Sequence, residues 1–169
     1  MVIGTLSLGT INAKSPYLVK IATNGEALSF ITDYDAEIFV TFEKDELLHH
    51  ALVYQFGISN PKGVRSPRDP KVRDTVLAIV EEFFKKNEAA LLYICETGDG
   101  MQKMRNRLFQ FWFGIYGENE EYLFLPQIVY DEEDNENYAA LIIRRDNPKF
   151  NDLVTEFTNT VILLNSKPE

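Results

Sequence analysis

The 169-residue sequence predicts an α+β fold, a single mostly antiparallel sheet of about six to seven strands packed with three helices. Three observations carry the prediction. An Asn-Gly pair at 24–25 joins two runs that read as strands, and a nearly continuous apolar run at 89–95 reads as a buried central strand. Asp69-Pro70 and Asn147-Pro148 each open an amphipathic stretch with a capping residue followed by proline. The resulting order is ββββαβαββα within one domain, 1–169, in which 1–15 is a loose or edge N-terminal segment.

Residues 1–6 are apolar but interrupted by Gly4 and Thr5, with no basic residue ahead of them, so they read as a strand or a loose end rather than a secretory leader. Strands follow at 17–21 and 26–32, joined by a two-residue hairpin at Asn24-Gly25, and a third at 36–42. A fourth places Leu52, Tyr54, Phe56 and Ile58 on one face at every second residue. Proline and glycine then break the pattern through Pro67.

The first helix begins at Asp69-Pro70, because Asp accepts the free N–H groups of the first turn and Pro70 has none to offer there. Val72, Val76, Ile79, Val80 and Phe83 form its apolar stripe, which ends near Asn87. After the strand at 89–95 comes a turn at 96–100 and a second helix at 101–116, stopped by Gly117. Strands at 122–130 and 138–145 flank an acidic loop. The third helix carries Phe150, Leu153, Val154, Phe157 and Val161 on one stripe.

Composition narrows the function classes. Hydrophobic residues at 45% and charged residues at 25% are ordinary for a globular chain, with twelve Phe and eight Tyr to fill a core. Cys95 is the single cysteine, which rules out an internal disulfide and a paired-cysteine metal site, so a reducing cytoplasm is expected. No stretch approaches the roughly 20 apolar residues of a membrane helix.

The net charge of −9 argues against a nucleic-acid partner, but it is unevenly spread. Eight of the 26 acids fall in 118–121 and 131–136, leaving 18 against 17 bases elsewhere. Lys62, Arg65, Arg68, Lys71 and Arg73 meet only Asp69 in their own stretch, and Lys103, Arg105 and Arg107 form a second basic group. A dipolar molecule is expected, and two solvated loops beside ordinary surface lysines give the same pattern.

On a helical wheel for 101–116, Met101, Met104, Leu108, Trp112 and Ile115 share a narrow sector, Phe109, Phe111 and Tyr116 widen it, and Arg105 falls within the widened sector close to Trp112. Lys103, Arg107 and Gln110 lie opposite. A guanidinium on an apolar face needs a carboxylate, carbonyls or a bound anion. Glu96 and Asp99 are the nearest acids in sequence. An internal ion pair fixing the turn is one reading. An anion pocket at the helix start, with Gly98 and Gly100 permitting close approach, is the other.

Other groups carry less. Cys95 ends a buried strand far in sequence from His49 and His50 and reads as an inert thiol. The adjacent histidines point apart and have no acidic partner at metal-site spacing. The acidic run at 131–134 lacks the alternation of a calcium loop. No metal, cofactor or catalytic set is expected.

Asp69-Pro70-Lys71-Val72 with Thr75-Val76, Tyr93-Ile94-Cys95-Glu96, and Asp99, Gln102, Arg105, Phe109 and Trp112 together resemble domain-of-unknown-function family 6169, an uncharacterised bacterial family of the bacteroidetes. The resemblance implies that Asp99, Gln102 and Arg105 belong to one constellation, and it implies no activity, cofactor or substrate.

Two functions are therefore expected. The first is a non-enzymatic cytoplasmic binding module whose partner is another protein, a small anionic ligand or a second copy in a homodimer. Its site would be Glu96, Asp99, Gln102, Arg105 and Trp112, with a secondary basic surface of Arg65, Arg68, Lys103 and Arg107, or else the acidic hairpin around 131–136. The second is an enzyme or binder for a phosphate-bearing or nucleic-acid ligand at the same turn and helix, with Arg105 and Lys103 holding the anion and Glu96 or Asp99 as acid or base.

Overall fold

The computed structural model describes residues 2–95, 112 and 121–166. In chain order its elements are a 3-10 turn at Ile3–Thr5, α1 (Leu8–Lys14), β1 (Lys20–Ile21), β2 (Ala27–Ile31), β3 (Glu37–Lys44), β4 (Val53–Ser59), α2 (Pro70–Lys86), β5 (Ala90–Cys95), β6 (Tyr122–Tyr130), β7 (Glu136–Arg144) and α3 (Phe150–Asn165). The seven strands form one sheet in the order β1-β2-β3-β4-β5-β7-β6. The pairs β1/β2, β2/β3, β5/β7 and β6/β7 are antiparallel. This is the α+β class and the strand–helix order that the sequence predicts. The predicted helix at 101–116 lies outside the described residues, except that Trp112 is helical. Two compact units divide the chain, 1–43 with 56–88 and 44–55 with 89–169.

In the first unit, α2 starts as expected: the Asp69 carboxylate accepts from Lys71 N at 3.0 Å, Pro70 takes the first turn, and Asn87 closes the helix. Phe83 is fully buried and stacks on Phe42 with centroids 5.0 Å apart, while Phe42 also meets Phe56 at 5.6 Å. Tyr17 stacks on Phe30 at 5.8 Å.

The N-terminal segment differs from the expected strand or loose end. Val2, Ile3, Leu6 and Ile11 are buried, and Ser7 caps α1 by accepting from Thr10 N at 3.2 Å. Ser7 N in turn donates to the carboxylate of Glu82 on α2 at 2.6 Å. Glu82 is only 2% exposed, and its second oxygen has no hydrogen-bond partner among the described residues. A seven-residue helix containing Gly9 and Thr10 has little intrinsic stability, so these contacts with α2 hold it rather than propensity.

β1 is also shorter than predicted. The Asn12 side chain accepts from Val19 N at 2.8 Å and donates to Val19 O at 3.0 Å, so residue 19 is satisfied by a side-chain amide instead of a neighbouring strand. Asn24-Gly25 does turn the chain, but within a four-residue connection closed by Ala22 N to Ala27 O, with Gly25 at φ 74°. On β4 the buried residues are Val53 and Phe56, of opposite parity, while Leu52 is exposed. Val53 fills the second unit's core and Phe56 packs on Phe42, so single-face alternation fails there.

The second unit has a mainly aliphatic cluster beneath α3. Ala90 and Leu92 from β5, Ala139, Leu141 and Ile143 from β7, and Leu153, Phe157 and Val161 from α3 form its core with Leu48 and Val53. The α3 stripe is the predicted one, although the helix opens at Lys149 rather than Asn147. Asn147 instead makes a preceding turn, accepting from Lys149 N at 2.8 Å. β6 ends the sheet order, and its outward edge is blunted twice. Alternation of the ladder turns Pro126 outward, where its missing N–H leaves no donor exposed. Asn165 at the end of α3 accepts from Tyr130 N and donates to Ile128 O, both at 2.9 Å, in place of an eighth strand.

Candidate functional site

In the second unit a cavity of about 350 Å³ lies between α3, the sheet and the segment of Leu47 and Leu48. Leu92 and Ile94 of β5, Val129 of β6 and Ala139 of β7 form its floor. Phe157, Thr160, Val161 and Leu164 of α3 cover it, and Leu47 and Leu48 close one side. Asp131, Asn137 and Tyr138 complete the lining. The floor residues follow from strand period: 92 and 94 alternate with 91 and 93, and Val129 pairs with Asn137 in register, so one face is shared.

The side formed by Leu47 and Leu48 is a loop, and two carboxylates hold it. Asp45, 5% exposed, accepts from Leu47 N at 3.1 Å and Leu48 N at 2.8 Å through Oδ2 and from Gln55 Nε2 at 2.9 Å through Oδ1. Glu156 on α3 accepts from His49 N at 2.9 and 3.0 Å and from His50 N at 3.0 Å, with His50 Nδ1 at 2.9 Å. Burial pushes the Glu156 carboxyl up, but the backbone N–H of His49 and the ring and N–H of His50 outweigh it, and the group sits below the usual carboxylate range. The wall is thus tied both to the strand that follows it and to the helix above it.

At the open end, Asp131 starts the turn between β6 and β7. Its Oδ1 accepts from Glu133 N and Asn135 N, both at 2.9 Å, and its Oδ2 accepts from Asn135 Nδ2 at 3.2 Å. The Asn135 N–H leads in lowering its pKa, against a smaller effect of burial. Asp134 adopts φ 62°, one of two non-glycine residues in the left-handed region among those described.

The residues singled out from sequence fall unevenly. Glu96, Asp99, Gln102, Lys103, Arg105 and Arg107 lie outside the described residues. Trp112 is buried at 6% exposure, as its apolar sector implies. Arg65 and Arg68 are exposed on the loop before α2. The basic stretch around them is partly neutralised: Lys71 pairs with Asp33 at 2.7 Å and lies over the Tyr17 ring, and Arg73 pairs with Asp74 at 3.0 Å. Tyr17 OH also donates to Asp69 and accepts from Asp33 N. This cluster fixes the start of α2, and burial, reinforced by Asp69, pushes the Tyr17 phenol up to about 12 despite the opposing bond from Asp33 N.

Sequence reasoning missed Asp45 and Glu156, and it weighed Asp131 only as part of the acidic run. Each accepts from backbone N–H groups, which no residue type marks in advance. Among the described residues no group of three His, Cys, Asp or Glu could hold a metal ion, and no helix is long and apolar enough to cross a membrane.

No curated protein and no solved structure matches the chain. A family model, described as a family of unknown function, matches residues 68–159, which takes in α2, β5, β6, β7 and the first part of α3. Leu92, Ile94, Val129, Asp131, Ala139 and Phe157 fall within that span. Since the match covers more than half of the chain, the protein belongs to domain-of-unknown-function family 6169 (DUF6169).

Proposed function

We propose that this protein is a non-enzymatic binding module of the bacterial cytoplasm and that its ligand enters the cavity beneath α3. The observation that carries the reading is the cavity itself. Its volume of about 350 Å³ lies in the range of small-ligand pockets, and its lining is apolar with a few polar groups near one end. A core of this size would normally close on itself, because interiors pack to crystal-like density. Here Asp45 and Glu156 hold the Leu47–Leu48 wall in place, which supports a space maintained for an occupant. The single cysteine agrees with a reducing compartment.

The test is a thermal-shift screen of wild type and Ala139→Leu against apolar and amphiphilic small molecules, nucleotides, phosphates and RNA. Ala139→Leu places three more carbons in the cavity. Stabilisation of the wild type by an apolar class, lost in Ala139→Leu, supports the reading. No response from any class, or a response that Ala139→Leu retains, overturns it. Arg105→Met in the same screen tests the alternative ligand, a phosphate or nucleic acid at Glu96–Arg107: only there would the arginine variant remove the response and Ala139→Leu keep it.

A further inference from the structure

Resting on that reading of the cavity, we propose that its ligand is an amphiphilic amine, an apolar chain seated under α3 with an ammonium head at Asp131. Charge complementarity selects this class. Asp131 is itself part of the lining, and both its oxygens are oriented by the turn it begins. Three hydrogen bonds occupy all but one of the roughly four lone-pair sites of the carboxylate, and an ammonium would compete for the remaining one with the side chain of Asn137. The Asn135 and Glu133 N–H groups favour the ionised carboxylate.

The surroundings add to the same sign. Glu132, Glu133, Asp134 and Glu136 share the turn, and no lysine, arginine or histidine is among the described residues that line the cavity. A carboxylate-headed ligand would bring its charge into this negative potential. An alcohol would gain a hydrogen bond but no ion pair. An ammonium gains both, as a charge-assisted hydrogen bond, and at a rim position it keeps part of its hydration, so its desolvation cost is smaller than at a buried site. The apolar floor of Leu92, Ile94 and Ala139 takes the hydrocarbon part.

Octylamine, octanol and octanoate, matched in chain length, separate head from tail. Their affinities would be measured calorimetrically for wild type, Asp131→Asn and Ala139→Leu. Asparagine can still accept from Glu133 N and Asn135 N, so the turn is retained while the charge is removed. The expected result is octylamine binding wild type roughly tenfold tighter than octanol, and octanoate weakest. Asp131→Asn should erase the amine preference with octanol affinity unchanged, and Ala139→Leu should weaken all three. Equal amine and alcohol binding in wild type, an octanoate preference, or an amine preference surviving Asp131→Asn overturns the inference while leaving the cavity as a binding site. Failure of every probe to bind the wild type removes the cavity reading and this inference with it.

Discussion

A cluster of rings lies at the heart of the first unit, whereas the cluster beneath α3 in the second is built of branched aliphatic chains. Phe42, Phe56, Phe83 and Phe84 lie face to face or edge to face at centroid distances of 5.0–5.6 Å. The cluster beneath α3 in the second unit relies on Leu, Ile, Val and Ala, with Phe157 the one ring among its described buried members. Flat rings stacked on one another leave little room to spare. In the aliphatic cluster Leu153 near the start of α3 is fully buried, whereas Phe157, Val161 and the half-exposed Leu164 further along border open space. The difference separates a tightly stacked interior from one that leaves open space beneath a helix.

Truncation gives the largest contrast. Phe83→Ala should cost about 3–5 kcal/mol in chemical denaturation, because stacked neighbours cannot collapse into the space. Val161→Ala, beside an existing cavity, should cost about 1.5 kcal/mol or less. Similar losses would erase the distinction between the two interiors. Enlargement should run the other way. Ala78→Leu on α2 should destabilise by about 1–3 kcal/mol through overpacking, whereas Ala139→Leu should be neutral or stabilising by up to ~1 kcal/mol. A large penalty at Ala139 would mean that the cavity walls do not tolerate an occupant.

Helix starts differ next. Asp69→Ala removes both the cap of α2 and the acceptor of the Tyr17 hydroxyl and should cost about 1–2 kcal/mol. Lys149→Ala, at the uncapped start of α3, should change stability by less than ~0.5 kcal/mol. The smallest effects lie in pH. Tyr17 binds its proton more tightly folded than unfolded, so its contribution is complete below pH 10 and is lost as pH rises through about 12. Glu156 has the opposite sign: its contribution is present above the unfolded value near ~4.3 and is lost as pH falls through the lower folded one. Tyr17→Phe should flatten the alkaline limb of a stability–pH curve and Glu156→Gln the acid limb. Unchanged limbs would show that neither group is coupled to folding.

Much of the architecture was legible because short-range chemistry determined it. Asp69-Pro70, the apolar run of β5 and the stripe of α3 each state their role within a few residues. Helix α1 was not legible, since Ser7 and Glu82 are 75 residues apart and the helix depends on their contact. The alternation on β4 misled because Val53 and Phe56 serve different cores. The cavity left no mark in the sequence: Leu92, Ala139 and Val161 read as core, and only their spacing in three dimensions leaves a void. The polar constellation around Arg105, the strongest sequence signal, lies outside the described residues and stands as an expectation.

One feature of the topology bears on kinetics. The β6/β7 hairpin pairs residues close in sequence, from Tyr130 with Glu136 outward, and should form early. Strand β5 reaches the same β7 only by closing a far longer loop, with Leu91 opposite Ile142, and it supplies Leu92 and Ile94 to the cavity floor. From this topology the cavity is expected to be completed late in folding. A ligand that requires it should slow unfolding while leaving the refolding rate unchanged, so that in a chevron plot only the unfolding arm shifts.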